Sequence, residues 1–189
     1  MSYSATTSQT VGPYFKIGLS PLYCHELAGD AIPGARVTIQ GHVLDGERKA
    51  VPDALLETWQ ADAQGILASP VDAEQSEVDG TFSGFGRIPT DENGAFRFIT
   101  IKPGSVPGPD GSQQAPHIVV SIFMRGLLTR LVTRIYFEGD SRNENDLVLN
   151  KVQKDRRATL LAVPMAGEEG VMEWNVILQG QNETVFFEF

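Results

Sequence analysis

From Arg36 onward the chain is divided into short runs of alternating apolar and polar residues, each closed by a Gly, Pro, Asp or Asn turn signal, and no other feature limits its folding as strongly. In the first run Val37, Ile39, Gly41 and Val43 share one face, and Thr38, Gln40 and His42 share the other. That is the period of a half-buried strand. Asp45-Gly46 marks a reversal before the second run, Leu55-Leu56-Glu57-Thr58-Trp59-Gln60, which closes at Asp62-Ala63-Gln64-Gly65. Asp91-Glu92-Asn93-Gly94 turns the chain into a third run over 95–101, and Lys102-Pro103-Gly104 ends it because proline donates no ladder hydrogen bond. Further runs over 117–123, 131–137, 172–178 and 184–189 complete the set. Seven or more short strands with little helix predict an all-β fold, an antiparallel β-sandwich. Trp59 and Trp174, each inside an alternating run, are expected as core anchors.

The pattern fits one domain over 36–189, preceded by an arm over 1–35. Gly12-Pro13, Ser20-Pro21 and Pro33-Gly34 punctuate the arm without any sustained period, so it is expected as extended coil reaching over a neighbouring subunit. A helix is predicted over 150–162, with Lys151, Lys154, Arg156 and Arg157 outward and Val152, Leu160 and Leu161 inward. The apolar end, Thr184-Val185-Phe186-Phe187-Glu188-Phe189, is expected to pack into the sandwich or an interface.

Charge narrows the partners. Fifteen basic residues against 24 acidic ones give a net charge of −9 over 189 residues, which disfavours nucleic acid and anionic membranes and leaves small molecules or proteins. No apolar run approaches the roughly 20 residues of a membrane helix. The polar start, Met1 to Thr10, has neither the basic nor the apolar part of a secretory leader, and the single Cys24 can form no internal disulfide, so a cytoplasmic location is expected. Cys24 has no motif that would activate it, and His25 and His42 have no second ligand at a useful spacing.

Turn chemistry of this kind serves many sandwiches, so strands and turns alone equally allow a metal-free binding or spacer module with no catalytic partner. The stretch from Trp59 through Ile101-Lys102-Pro103-Gly104, Ala115-Pro116-His117-Ile118 and Arg134-Ile135-Tyr136-Phe137-Glu138-Gly139-Asp140 resembles the intradiol ring-cleavage dioxygenases. The resemblance extends to Ser8-Gln9-Thr10-Val11-Gly12-Pro13-Tyr14-Phe15 and to Gln179-Gly180-Gln181-Asn182-Glu183, which narrow it to the α type of chain in the family's two-chain members.

The resemblance implies a non-haem Fe(III) held by two tyrosinates and a His-X-His pair. Residues i and i+2 of a strand share a face, so two such imidazoles can reach one metal. Here the triplet reads His117-Ile118-Val119, the tyrosine after Lys102-Pro103-Gly104 is Val106, and the one after Gln64-Gly65 is Ile66 or Leu67. Three of four ligands are replaced by hydrocarbon, so this chain is expected to bind no metal, with Fe(III) on a partner β chain. Val and Leu side chains are expected to fill the vacated pocket, with His117 a structural imidazole. A catalytically sufficient dioxygenase would need a metal set that these residues do not provide.

The resemblance further implies a higher-order α/β oligomer that cleaves 3,4-dihydroxybenzoate with O2 in the β-ketoadipate route of aromatic catabolism. In that oligomer this chain is itself inactive and walls the substrate pocket with Thr10, Gly12, Pro13 and Tyr14. Arg125, at a strand end before Gly126, is implied beside the substrate carboxylate, which its planar donor fork suits. Arg130 and Arg134 are the alternatives.

Overall fold

The computed structural model of the chain describes residues 6–68, 82–108 and 111–188. Strand β1 (Arg36–Leu44) forms as its alternation requires: Val37, Ile39, Gly41 and Val43 are buried, and Arg36 and His42 are exposed. It pairs antiparallel with β4 (Ala95–Ile101) from Arg36 opposite Ile101 to His42 opposite Ala95. In the second layer β2 (Leu55–Trp59) lies between β3 (Phe85–Pro89) and β7 (His117–Phe123), and β7 pairs with β8 (Leu131–Phe137). Between β4 and β7 sits a small ladder of β5 (Val106–Pro107) and β6 (Gln113–Gln114).

The layers meet over one apolar core, with Ile39 and Phe98 from the first and Leu56, Ile88, Ile118, Val120 and Ile122 from the second. Each fully buried side chain of this size contributes about 1.5–3 kcal/mol. Three aspartates set the reversals: Asp45, Asp62 and Asp91 each accept through Oδ1 from the backbone N–H groups two and four residues on, at 2.8–2.9 Å. Gly41 is required by close packing, since a Cβ there would lie 1.8 Å from the Trp174 carbonyl oxygen.

The structure departs from the sequence reading in several places. The sheet is mixed: β9 (Leu161–Pro164) runs parallel to β8 and antiparallel to β10 (Val171–Glu173), and so joins the two layers. β10 and β11 (Val176–Ile177), the broken halves of the single run expected over 172–178, are both parallel to β1. The crossover over 138–160 is long enough for the parallel β8–β9 pairing.

That crossover contains the helix predicted over 150–162, shifted and cut short. Helix α2 (Leu147–Lys151) begins at Asp146, whose side chain caps it by accepting from the Leu149 N–H. A 3₁₀ turn, Lys154–Leu160, follows after a break. Leu149 and Leu160 cover the outer face of β8 at Tyr136, so β8 is buried on both sides.

Residues 184–188 form no strand, and Phe189 lies outside the described residues. Their bonds go to separate elements, Thr184 N to Ile177 O at 2.9 Å and Phe187 N to Val132 O at 2.7 Å, so no ladder develops. The segment does pack on the sandwich, where Val185 and Phe187 join the cluster around Tyr136.

The segment expected as extended coil holds helix α1 (Pro13–Leu19), started by Pro13 at its first turn, and then a 3₁₀ turn, Ser20–Leu22. Cys24 and Glu26 bridge to Arg87 of β3 and Ile99 of β4, and Leu27 enters the core. Among the described residues no helix is long and apolar enough to cross a membrane.

Candidate functional site

Strand parity puts Ile118, Val120 and Ile122 in the core and turns His117, Val119 and Ser121 to the outer face of β7. Val119 lies in register between Trp59 of β2 and Arg134 of β8. Trp59 is therefore not a core anchor. It is 50 % exposed and leans on Phe85 with ring centroids 4.5 Å apart, whereas Trp174 is 2 % exposed. The reason is parity, since Glu57, two residues earlier, already marks that face as outward.

The His117 imidazole bonds through Nδ1 to the Ala115 carbonyl at 2.8 Å. Burial, and then the Arg134 guanidinium beside it, push its pKa down from 6.5 to about 4, so the ring is neutral at pH 7. Arg134, 8 % exposed, donates to Gln114 Oε1 at 2.8 Å and to the Tyr136 hydroxyl at 3.3 Å, and Tyr136 donates to Asp146 Oδ1 at 3.1 Å. Burial pushes the Tyr136 phenol well above its ordinary range, so it stays protonated.

One neutral imidazole beside Val119 and a fixed guanidinium does not fit Fe(III), which favours anionic oxygen donors. Among the described residues no three His, Cys, Asp or Glu side chains gather as a metal site. Leu67 does not fill a pocket as expected of the Leu side chain, and neither does the alternative at that position, Ile66. Both are 65 % exposed, just after the turn that the Asp62 carboxylate closes by accepting from the Ile66 N–H.

A second grouping forms where the arm meets the end of β7. Helix α1 is fastened by Lys16, whose Nζ donates to the carbonyls of Pro52 at 2.6 Å and Thr90 at 2.7 Å, and by Phe15, whose ring lies 5.4 Å from that of Phe123. Partial burial lowers the Lys16 pKa, opposed by the nearby Asp53 and Asp91 carboxylates. Thr10 Oγ1 accepts from the Gly126 N–H at 2.7 Å, and Arg125 Nε donates to Asp53 Oδ2. These contacts frame a cleft of 260 Å³, whose walls include Gly12, Pro13, Phe15, Asp53 and Arg125. That is smaller than the roughly 300–1,000 Å³ of a site enclosing its own ligand.

Of the residues singled out in the sequence, Gly12, Pro13 and Arg125 line this cleft and Thr10 braces its rim. Tyr14 is 82 % exposed and is not among its lining residues. Arg134 is committed to the buried network, and Arg130 is exposed. Lys16 and Asp53 were missed by sequence reasoning, because Asp53 after Pro52 reads as an ordinary turn residue. A larger cleft of 680 Å³ over β1 and β4, lined by His25, Gln40, His42 and Arg97 among others, shares no lining residue with this one. Burial raises the pKa of the half-buried Cys24 thiol, which favours its unreactive form.

A model of a dioxygenase family matches residues 12–180. The chain is 40 % identical over 197 residues to the protocatechuate 3,4-dioxygenase alpha chain of Burkholderia cepacia, covering 97 % of this chain and 96 % of that one. It is also 34 % identical over 172 residues to the beta chain from the same organism, over 85 % of this chain and 73 % of that one. Among solved structures, the dioxygenase domain of a dioxygenase–carbohydrate-binding fusion from Streptomyces sp. SirexAA-E superposes with a TM-score of 0.65. It is 25 % identical and covers 86 % of this chain and 89 % of that one.

Proposed function

The chain belongs to the dioxygenase family, whose members include the intradiol enzymes, and on that premise we propose that it is the iron-free α chain of a protocatechuate 3,4-dioxygenase. The observation that carries this reading is the nearly end-to-end similarity to an alpha chain. A free-standing spacer module leaves that similarity unexplained.

The partner is an iron-bearing β chain, and the complex, a cytoplasmic higher-order α/β oligomer, opens the ring of 3,4-dihydroxybenzoate between its hydroxylated carbons. Both atoms of O2 enter the product, 3-carboxy-cis,cis-muconate. Fe(III) belongs to the β chain. The small open cleft at Gly12, Pro13 and Arg125 suits one wall of a shared pocket, completed by the partner. Thr10 braces that wall, and Tyr14, on the outer side of α1, faces the partner.

The Arg125 guanidinium receives the substrate carboxylate. A chain of net charge −9 repels anions at long range, so the attraction is local, from Arg125 or from the partner. The experiment is to purify the chain alone and co-expressed with a β chain, measuring iron and native mass. Iron-free chain alone, with about one iron per αβ pair on co-expression, is expected. Stoichiometric iron on the lone chain, or a monomer indifferent to the β chain, would overturn the reading.

A further inference from the structure

Arg125 follows the end of β7 on an exposed turn, and its side chain is 60 % exposed. A long side chain there samples many rotamers, and a ligand that needs one of them bears the cost of ordering it. The structure removes part of that freedom. Asp53, on the turn before β2, takes the Arg125 Nε–H on its Oδ2 and is itself only 24 % exposed.

The contact uses Nε, and among the described residues the two terminal amino groups make no hydrogen bond, so their end-on edge is one that a carboxylate can engage with two parallel bonds. Asp53 also favours the charged form of Lys16, as does Asp91, and Lys16, Asp53 and Arg125 all line the cleft. The adjacent Pro52 carbonyl accepts from Lys16 Nζ at 2.6 Å, which ties the turn that carries Asp53 to helix α1.

We propose that Asp53 is a positioning residue for substrate binding: it holds Arg125 by Nε so that the terminal edge of the guanidinium is presented to the substrate carboxylate. This rests on the reading that Arg125 receives that carboxylate. In this role Asp53 acts on the substrate through Arg125, not on the reacting atoms.

The test uses the α/β heteromer and anaerobic calorimetric titration with 3,4-dihydroxybenzoate and with catechol, which lacks the carboxylate. Asp53→Ala is expected to weaken 3,4-dihydroxybenzoate binding about 3- to 10-fold, the cost of ordering one long side chain, with catechol binding within about twofold of wild type. Asp53→Asn, which keeps the shape and loses the charge, falls between Asp53→Ala and wild type. It carries the test if the alanine variant fails to assemble. Adding Asp53→Ala to Arg125→Ala produces no further loss, since the two act as a unit.

Unchanged or tighter binding in Asp53→Ala, with Arg125→Ala still weakened, overturns the role of Asp53 and leaves that of Arg125 standing. Losses that add in the double variant overturn it also, because Asp53 then acts through something else. Unchanged binding in Arg125→Ala removes the reading of Arg125 itself and this inference with it.

Discussion

Replacing Asp146 with alanine tests whether the buried polar cluster on the outer face of β8 holds this part of the fold together. The carboxylate is fully buried and accepts from the Ala115 N–H at 2.8 Å, the Leu149 N–H at 2.7 Å and the Tyr136 hydroxyl at 3.1 Å. Through Tyr136 it is linked to the buried Arg134. Losing the helix cap costs about 1 kcal/mol, and each buried donor left without a partner costs about 1–3 kcal/mol. Water entering the vacated volume relieves part of this, so the expected loss is about 3–5 kcal/mol, as for removing one member of a buried charged network. With a urea m-value of about 2 kcal/mol/M, the unfolding midpoint falls by about 1.5–2.5 M. Fluorescence of the buried Trp174 is the readout. Asp146→Asn keeps one acceptor oxygen but sets an amide N–H against a backbone donor, and is expected to lose about half as much. A loss below about 1 kcal/mol in Asp146→Ala would refute the reasoning, since three buried donors would then have found other partners.

His117 titrates near 6.5 in the unfolded chain and near 4 in the fold, so between those values the unfolded chain binds more protons and stability falls as pH drops. At pH 4.5 this amounts to about 2 kcal/mol, and His117→Gln, which can still donate to Ala115, should show a correspondingly smaller difference between unfolding midpoints at pH 7 and pH 4.5. In steady-state kinetics of the heteromer, Arg125→Ala should raise KM for 3,4-dihydroxybenzoate about tenfold or more, with a smaller fall in kcat; unchanged constants would take Arg125 out of the site. Gly41→Ala drives a Cβ to 1.8 Å from the Trp174 carbonyl oxygen and should cost about 1–3 kcal/mol or more in urea unfolding, whereas a loss under 0.5 kcal/mol, as an order-of-magnitude bound, would show that β1 and Trp174 can separate.

Strands β1, β4 and β7 were legible because each carries its own alternation, and β2 and β8 because each is a short apolar-rich run bounded by turn residues. The turns were equally local, since Asp45, Asp62 and Asp91 accept from backbone groups only two and four residues away. Val119 stands where the resemblance implies a second histidine, a departure visible in the triplet His117-Ile118-Val119 alone. The outward direction of Trp59 is marked in the sequence too, since Glu57 shares its face of β2.

Other features depend on partners far away in the chain. The parallel β8–β9 pairing joins Tyr136 to Leu161 across a helical crossover, and nothing in Leu161-Ala162-Val163-Pro164 marks it as the strand that joins two layers. Residues 184–188 look like a strand but find their acceptors on different elements. The cleft brings Gly12, Asp53 and Arg125 together from three separate segments, with 72 positions between the two members of its ion pair. Periodicity and turn chemistry act over a few residues, so the amino-acid pattern was enough for five of the strands and for the aspartate turns between them. Pairing order, burial of a charge and the convergence of a site are set by which surfaces exclude water from one another, and that depends on contacts between segments far apart in the chain.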